Sequence, residues 1–467
     1  MTRSGRTRLV ETILFLFVLA TAAGARVGYL MAYADEARTE GPLRVQDRSP
    51  ELPLVSTGSQ TEQEWLIDNV RQHGWFGSLA PLADQEERTA HAAPGYPWLV
   101  AQLQRLPFDL GPVDVLVRWL QCGLGALTAG LYFFFGRWAF GSRTVGVLAG
   151  LLCALHPFWI VNTAQIGDGV LASFLLACVL CLGVLGGRTG EPLASLLYGV
   201  ALAALALVRA ALLPFALAAL LWYLWRCRSL AQGWLAALLA FLGLVLGLTP
   251  WTLRNLDAFQ DAYPVVDSTY YHLWMGNNPK ATGGPLPEDE LLAALAEYRK
   301  ADPQQTAIEL AALPQPNRYR ELASPMVAEL ARDPAAACRR RIWAGLYFFF
   351  GEDWFTQNKL YQTSRTAAPV ENSLYPGLLV GSLFAMLLLG ALGWRWTFAR
   401  GAAAMPSALA ILLVPLPYIL GHAEALSGPR LPLDGVLLTY AAFVLALAVP
   451  GRAGKLLRGK GDERDQG

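Results

Sequence analysis

The chain is poor in charged residues and in cysteine, and both shortages limit the classes of protein to which it can belong. Only 16% of its 467 residues are charged. Soluble globular domains carry about 25%, so an ordinary soluble domain is excluded. The net charge of +1 argues against a generally basic nucleic-acid-binding chain, and no nucleic-acid partner is expected. Five of the six cysteines fall in or beside apolar stretches, which gives no disulfide framework.

Long apolar stretches are what the sequence has instead. A bilayer core about 30 Å thick needs about 20 apolar residues per helical span. Windows that qualify lie near residues 9–32, 114–136, 144–164, 168–187, 191–208, 210–225, 231–250, 374–394, 402–420 and 432–449. We therefore predict an all-α integral membrane protein of about ten transmembrane helices. The first window also resembles a signal peptide cleaved near residues 32–34, which stays an alternative.

Basic residues in the short connections set the predicted orientation. Arginines and lysines in these connections and in the C-terminal tail place both termini in the cytoplasm, at the cytoplasmic (inner) membrane. The two long connections, 33–113 and 251–372, then lie on the outer face. They hold 27 of the 36 acidic residues but only 18 of the 37 basic ones. The near-zero net charge is thus a cancellation between two sides of a membrane.

The same windows divide the chain into segments. In order they are a cytoplasmic N-terminus with the first helix (1–32), a first outer loop (33–113), helices two to seven (114–250), a large outer loop (251–372), the last three helices (373–450) and a cytoplasmic tail (451–467). Apolar residues recur at helical spacing between 287 and 341, which predicts short amphipathic helices lying over the membrane. An arginine triplet at 339–341, followed by aromatics, is typical of the membrane interface.

Ionisable side chains inside the apolar stretches are few. The candidates are Arg118, Asp168, Arg209, Glu424, Arg430 and Asp434, most of them at predicted outer span ends. All five histidines also fall in outer segments or at outer span ends. A charge at membrane depth points by default to function, although a single arginine can also snorkel to the interface. The set indicates one polar site at the outer surface, unlike a transporter, whose charges lie near the midplane.

Four short motifs are distributed along the membrane core. The most specific is TPWTLRN at 249–255, continuing to WMGNNP at 274–279; the others are HAAPGYPWLVA at 91–101, ALHP at 154–157 and GPRLP at 428–432. Together they resemble, in the expected order, the polytopic C-type glycosyltransferases. The nearest group is the family 39-like set related to protein O-mannosyltransferases and to the lipid A aminoarabinose transferases.

The resemblance implies an inverting transfer of a sugar from a polyprenyl-phosphate-sugar donor to a lipid, glycan or protein acceptor at the outer face. Arg254 is our first candidate for the donor phosphate, with Arg209 and Arg430 next, because a guanidinium fork matches phosphate oxygens. Contact with lipid headgroups is the alternative for each. The expected substrate-pocket residues are His91, Tyr96, His156 and Asn255, with packing in a turn as the alternative for Tyr96.

The resemblance also implies a carboxylate base in the first outer loop, where this sequence departs from the family pattern. The family's Asp would fall at residues 59–61, which read Ser-Gln-Thr. Glu62 is the nearest carboxylate and our candidate base, with a solvated loop residue as the alternative reading. Asp168 is the second catalytic candidate: it could orient an acceptor, bind a metal with His156, or cap the following helix. The other carboxylates close in sequence are Glu64, Asp68, Asp47 and Asp35.

Other functions and partners stay open at this point. A degenerate family member would bind the lipid-linked sugar without transferring it, and a polytopic lipid carrier or scaffold belongs to a different class. The sequence has no HExxH motif and no metal site is predicted, although a divalent metal stays open as a cofactor. Membrane lipids are expected partners, and the sequence identifies no protein partner.

Overall fold

The computed structural model describes residues 3–39, 67, 70, 77–79, 86–105, 112–350, 376–397, 405–423 and 429–449. Glu62, the family-base positions 59–61 and Glu424 lie outside these residues. The described chain is almost entirely α-helical, which confirms the predicted all-α membrane fold. A short antiparallel pair, β1 (Gly77–Leu79) with β2 (Glu86–Arg88), is the sheet within the described part.

The helices between Val113 and Phe259 follow one another with short turns. In chain order the helices of the described residues are α1 (Arg3–Thr39), α2 (Gly95–Gln104), α3 (Val113–Phe140), α4 (Arg143–Leu155), α5 (Pro157–Asn162), α6 (Gly169–Thr189), α7 (Pro192–Val208), α8 (Leu213–Cys227), α9 (Gly233–Phe259), α10 (Thr269–Asn277), α11 (Glu288–Arg299), α12 (Pro303–Ala311), α13 (Gln315–Arg320), α14 (Ala323–Arg332), α15 (Pro334–Phe350), α16 (Pro376–Thr397), α17 (Met405–Leu413), α18 (Leu416–Leu420) and α19 (Leu431–Leu447).

Each predicted apolar window coincides with an apolar helix or helix pair. Among the described residues, five helical stretches are long and apolar enough to cross a bilayer, and five shorter apolar ones accompany them. Two windows are split at prolines: 144–164 into α4 and α5 at Pro157, and 402–420 into α17 and α18 near Pro415. Proline lacks an N–H and its ring crowds the preceding turn, so a helix tends to end before it.

Pro250 behaves differently, because α9 continues through it to Phe259. The hydroxyl of Thr249 donates to the carbonyl of Val245 at 2.7 Å, and that of Thr252 donates to the carbonyl of Leu248 at 3.0 Å. Hydroxyls of this kind support the backbone around a proline in membrane helices. The predicted helix end near residue 250 is therefore wrong, and Arg254 lies within a helix rather than in a loop.

A central group of helices forms the core of the bundle. Helices α3, α4, α6 and α19 pack on one another, and α19 is buried around nearly its whole circumference. Helix α1 lies against α3 and α4. Near its start, Glu11 pairs with Arg137 at 2.8 Å and with Arg143 at 3.0 Å. These ion pairs anchor α1 at the end of the bundle where α3 meets α4.

The helices α10 to α14 form a second small core around Trp274, which is 1% exposed. Arg341 on α15 joins this region to the bundle. Its Nη1 donates to the carbonyls of Ile419 at 2.6 Å and Gly421 at 2.7 Å, at the C-terminal end of α18. Because carbonyls at a helix end lack partners within the helix, one arginine can satisfy several of them.

Close backbone contact joins α7 to α9. A Cβ at Gly199 would overlap the carbonyl oxygen of Ala240, and a Cβ at Gly243 would overlap that of Leu196. Small residues at such crossings let two membrane helices approach until their backbones touch. The pair therefore depends on the absence of a side chain at these two positions.

We expect Gly199→Ala to lower the thermal stability of the protein in detergent, by about 1–3 kcal/mol, because the added methyl group must push α9 away. Gly24→Ala on α1 is the matched control, since a Cβ there meets no atom within 4 Å. Thermal unfolding followed by tryptophan fluorescence measures both. Equal midpoints for the two variants would contradict the close α7–α9 contact.

Candidate functional site

The turn between α5 and α6 carries Asp168 and is held by side chains of α3. Gln121 donates through Nε2 to the carbonyls of Thr163 at 3.0 Å and Gln165 at 2.6 Å. Arg118 donates through Nε to the carbonyl of Ala164 at 2.9 Å. Backbone groups in a buried turn need partners of this kind. Two buried polar residues of α3 thus fix the residues that lead into Asp168.

Asp168 forms a two-point ion pair with Arg209. The Nε of Arg209 donates to one carboxylate oxygen at 2.8 Å, and its Nη2 donates to the other. Asp168 directly precedes α6, but its side chain makes no capping hydrogen bond, so the interpretation of its carboxylate as a helix cap is wrong. Two predicted site residues, 41 positions apart in the sequence, are therefore brought together in the strongest pairing geometry that an arginine offers.

Tyr96 lies beside this pair. Its hydroxyl donates to Oε1 of Gln121 at 3.4 Å, and its side chain is 2% exposed. Burial, and then the negative charge of Asp168, raise the pKa of Tyr96 far above its usual value near 10. Tyr96 is consequently a neutral hydrogen-bond donor at the edge of the Asp168–Arg209 pair.

His156, Asp434 and Arg430 form a second group, which we call the Asp434 cluster. Asp434 is fully buried, and its two oxygens contact Nε2 of His156 at 3.0 Å and Nε of Arg430 at 2.7 Å. The Nη1 of Arg430 donates to the carbonyl of Phe349, and its guanidinium lies 5.0 Å from the ring centre of Phe158. Its Nη2 is buried and has no hydrogen-bond partner among the described residues.

The two groups are neighbours. Arg209 Nη1 donates to the carbonyl of Pro429 at 3.4 Å, directly before Arg430 in the chain. An apolar groove of about 260 Å³ lies between α4, α16 and α19 and ends at His156 and Pro157. Two of its lining residues, Leu155 and Leu445, are 55% and 37% exposed, so the groove reaches the bundle surface. The apolar groove thus reaches His156, whose imidazole contacts the carboxylate that also pairs with Arg430.

Arg254 belongs to a different group of contacts. Its Nη1 donates to the carbonyl of Thr89 at 2.8 Å and to Oδ1 of Asn255 at 3.0 Å, and its guanidinium lies 4.8 Å from the ring centre of Trp251. Asn255 is fully buried and donates to the carbonyl of Tyr263 at 2.9 Å. These contacts tie α9 to the segment before α2.

His91 and two further histidines lie close to one another beside that region. His91 shares a hydrogen bond of 2.6 Å with the hydroxyl of Tyr319, and its ring centre lies 5.8 Å from that of His272. His272 in turn shares a hydrogen bond of 3.1 Å with His422. Burial lowers the pKa of His91 to about 4, and burial together with His272 and Arg341 lowers that of His422 to about 3.

These contacts leave no arrangement typical of a metal site. Within the residues that the structure describes, no group of three or more His, Cys, Asp or Glu side chains is placed to hold a metal ion. Of the two residues considered for a metal, His156 contacts Asp434 and Asp168 contacts Arg209. The polar groups pair with one another instead.

Two buried side chains of this region were missed by the sequence analysis. Gln121 is 2% exposed, and its neutral side chain gives no charge signal in an apolar window. Arg26 is fully buried in α1, where it donates to the carbonyls of Ala154 at 3.1 Å and Cys153 at 3.4 Å. An arginine in the middle of the first apolar window was the signal that could have found it.

Asp434→Asn should destabilise the protein strongly, on the order of 3–5 kcal/mol, because it leaves a buried Arg430 without a countercharge. Asp257→Asn is the matched control. It removes an exposed ion pair with Arg88, whose side chains are 75% and 50% exposed, and it should cost no more than about 1 kcal/mol. Thermal unfolding in detergent gives both values. A loss for Asp434→Asn no larger than the control's would show that the cluster does not stabilise the fold.

We expect stability to fall as the pH drops from 6.5 to 5. His91 and His422 stay neutral when folded, whereas they take up protons near pH 6.5 when unfolded, so their contribution is complete above pH 6.5 and is lost below it. The slope is up to about 1.4 kcal/mol per pH unit for each histidine. The His91→Gln, His422→Gln double variant should flatten the curve in urea titrations. An unchanged slope would assign the pH dependence to other groups.

Comparisons with known proteins agree with the arrangement of helices. No family model and no curated protein sequence matches the chain. Among solved structures, the apo oligosaccharyltransferase of Archaeoglobus fulgidus aligns with a TM-score of 0.52 and 12% identity, over 96% of this chain and 52% of that one. The same enzyme with zinc and sulfate gives 0.49 and 11%, over 95% and 50%.

A further alignment is with ArnT of Cupriavidus metallidurans bound to undecaprenyl phosphate, at a TM-score of 0.31 and 16% identity, over 95% of this chain and 79% of that one. The chain spans about half the length of the oligosaccharyltransferase that it resembles. An identity of 12% is informative about fold alone. The chain therefore has the GT-C fold, which is the fold of the C-type membrane glycosyltransferases that its sequence motifs resemble.

Proposed function

We propose that this protein is an inverting membrane glycosyltransferase that uses a polyprenyl-phosphate sugar as its donor. The site would face outward from the cytoplasmic membrane, where the charge distribution puts the long connections. The acceptor is a hydroxyl or amine of a lipid, glycan or protein. The observation that carries the proposal is the apolar groove that ends at the Asp434 cluster.

The groove suits the polyprenyl chain of such a donor. Its walls are almost entirely aliphatic, and its one imidazole, His156, lies at the end. Burying an isoprenoid chain against aliphatic walls is favourable by about 25 cal/mol per Å² of apolar area. A ligand with a long apolar tail and a polar head would therefore lie with its head at His156.

Arg430 suits the donor phosphate. It is 2% exposed and fixed by Asp434 and the carbonyl of Phe349, and its Nη2 has no partner in the described structure. A phosphate oxygen would accept a hydrogen bond from this buried Nη2. Pairing a buried donor that otherwise has no partner favours binding. We therefore rank Arg430 before Arg254, whose guanidinium bonds to Thr89 and Asn255 and whose region contacts α2 rather than the groove.

The transfer of the sugar needs a base for the acceptor proton and a cation that stabilises the leaving phosphate. The acceptor oxygen or nitrogen would form a bond to the anomeric carbon while the bond from that carbon to the phosphate oxygen breaks. Polyprenyl phosphate leaves with the electron pair, and a carboxylate takes the acceptor proton. We assign to Arg430 the role of stabilising the negative charge of the leaving phosphate, with Arg209 as a second cation. Glu62 remains our candidate base, and Asp168 holds Arg209 beside the acceptor.

A degenerate, binding-only protein is the second candidate. Two observations favour it: residues 59–61 lack the family Asp, and both carboxylate oxygens of Asp168 already accept hydrogen bonds from Arg209. Such a protein would keep the groove and Arg430 but transfer no sugar. The two functions therefore differ in the transfer step and agree in donor binding.

The test supplies purified protein in nanodiscs with radiolabelled polyprenyl-phosphate sugars and separately measures donor binding and label transfer to lipid, glycan and peptide acceptors. We expect Arg430→Gln to weaken binding by about 10–100-fold, through loss of a charged hydrogen bond. Glu62→Gln should abolish transfer and leave binding unchanged. Arg88→Gln, at an exposed ion pair, is the control and should alter neither.

The outcomes separate the candidates. Binding without transfer to any acceptor, in wild type as in Glu62→Gln, would support the degenerate protein. Absence of binding to every polyprenyl-phosphate sugar would contradict both functions. Transfer that survives Glu62→Gln but not Asp168→Asn would move the base to Asp168.

A further inference from the structure

Arg26 is a buried cation that the proposed reaction does not use. It lies in the apolar stretch Arg8–Ala32 of α1 and is fully buried. Its Nη1 donates to the carbonyls of Ala22 at 3.0 Å and Ala154 at 3.1 Å, and its Nη2 to that of Cys153 at 3.4 Å. No carboxylate pairs with it among the described residues. A charge at this depth is retained at considerable cost, which calls for a reason.

Two of these carbonyls, those of Cys153 and Ala154, lie in the last turn of α4. Helix α4 stops at Leu155 because Pro157 follows, so its last carbonyls have no partner within the helix. Arginine is well suited to this end, since it donates to several carbonyls and offsets the negative end of the helix dipole. The next residue is His156, in extended conformation, whose imidazole contacts Asp434 at 3.0 Å.

The structure also makes room for this side chain. A Cβ at Gly125 on α3 would overlap Nε of Arg26. Beyond Arg26 lies a cavity of about 10 Å³ that Trp159 and Leu431 also line. The indole of Trp159 donates to the carbonyl of Leu431 at 3.0 Å, next to Arg430. Arg26 therefore adjoins both chain segments that carry the Asp434 cluster, the turn at His156 and the start of α19.

We propose that Arg26 is a positioning residue: by holding the C-terminal carbonyls of α4, it sets the direction in which His156 meets Asp434. The first helix then does more than anchor the chain, because it supplies a group on which the geometry of the site depends. As a positioning role for donor binding, this inference rests on the proposed function. As a statement about His156, it stands on the contacts alone.

The test reads His156 directly. Protein labelled with ¹³C and ¹⁵N in its five histidines is compared by NMR in nanodiscs, with His156 assigned from His156→Gln. Arg26→Leu should shift or broaden the His156 signals, whereas Arg26→Lys should largely keep them because lysine also donates to carbonyls. Gly125→Ala, which displaces Arg26 without removing it, should reproduce the change in milder form.

Glu11→Gln is the control for a general effect of α1. It breaks the ion pairs of α1 with Arg137 and Arg143 at the other end of the helix, so it should lower thermal stability without moving the His156 signals. His156 signals that are unchanged in Arg26→Leu and Gly125→Ala, or that move equally in Glu11→Gln, would overturn the inference.

Binding of undecaprenyl phosphate is measured on the same samples. We expect Arg26→Leu to weaken it about tenfold, since a misplaced site costs affinity even when every contact residue is present. If His156 responds to Arg26 but wild-type protein binds no polyprenyl phosphate, the positioning role holds and the proposed function fails. If wild type binds and Arg26→Leu binds equally well, with His156 unmoved, the positioning role fails alone.

Discussion

The carboxylate of Asp434 is the constraint on which the rest of the site depends. It is fully buried and shared between His156 from the α4–α5 turn and Arg430 at the start of its own helix. An ion pair at this depth is stable only when its partners are held in good geometry, because desolvation opposes it. The helices around it therefore have little freedom: α4 must end where it does, and α19 must present Arg430 and Asp434 one turn apart.

Most of the fold could be predicted from the sequence, because the bilayer imposes a length and a composition on each span. The exceptions have local causes. The sequence predicts a helix end near Pro250, but the hydroxyls of Thr249 and Thr252 support the backbone there. Pro157 and Pro415 divide windows that composition alone reads as continuous. Proline has opposite outcomes at these places, and the difference lies in neighbouring side chains.

The candidate site was less predictable. The sequence singled out Asp168, Arg209, Arg430 and Asp434 as charges at membrane depth, but pairing is a property of three dimensions. Nothing in the chain order indicates that Asp168 would pair with Arg209, or that Asp434 would join His156 from 278 residues away. The sequence pattern does not mark Gln121, because its side chain is neutral. It does not mark Arg26 either, because the first apolar window resembles a simple membrane anchor. The interpretation of Glu62 stays a prediction.

The groove between α4, α16 and α19 has a consequence for how any ligand would arrive. Leu155 and Leu445 line the groove and are also exposed, so its entrance would face the acyl chains of a surrounding bilayer rather than water. A ligand that used this entrance would search in two dimensions, within one leaflet. Occupancy would then follow the ligand's mole fraction among the lipids and the packing of their chains, and the volume of the surrounding aqueous compartment would have no direct effect.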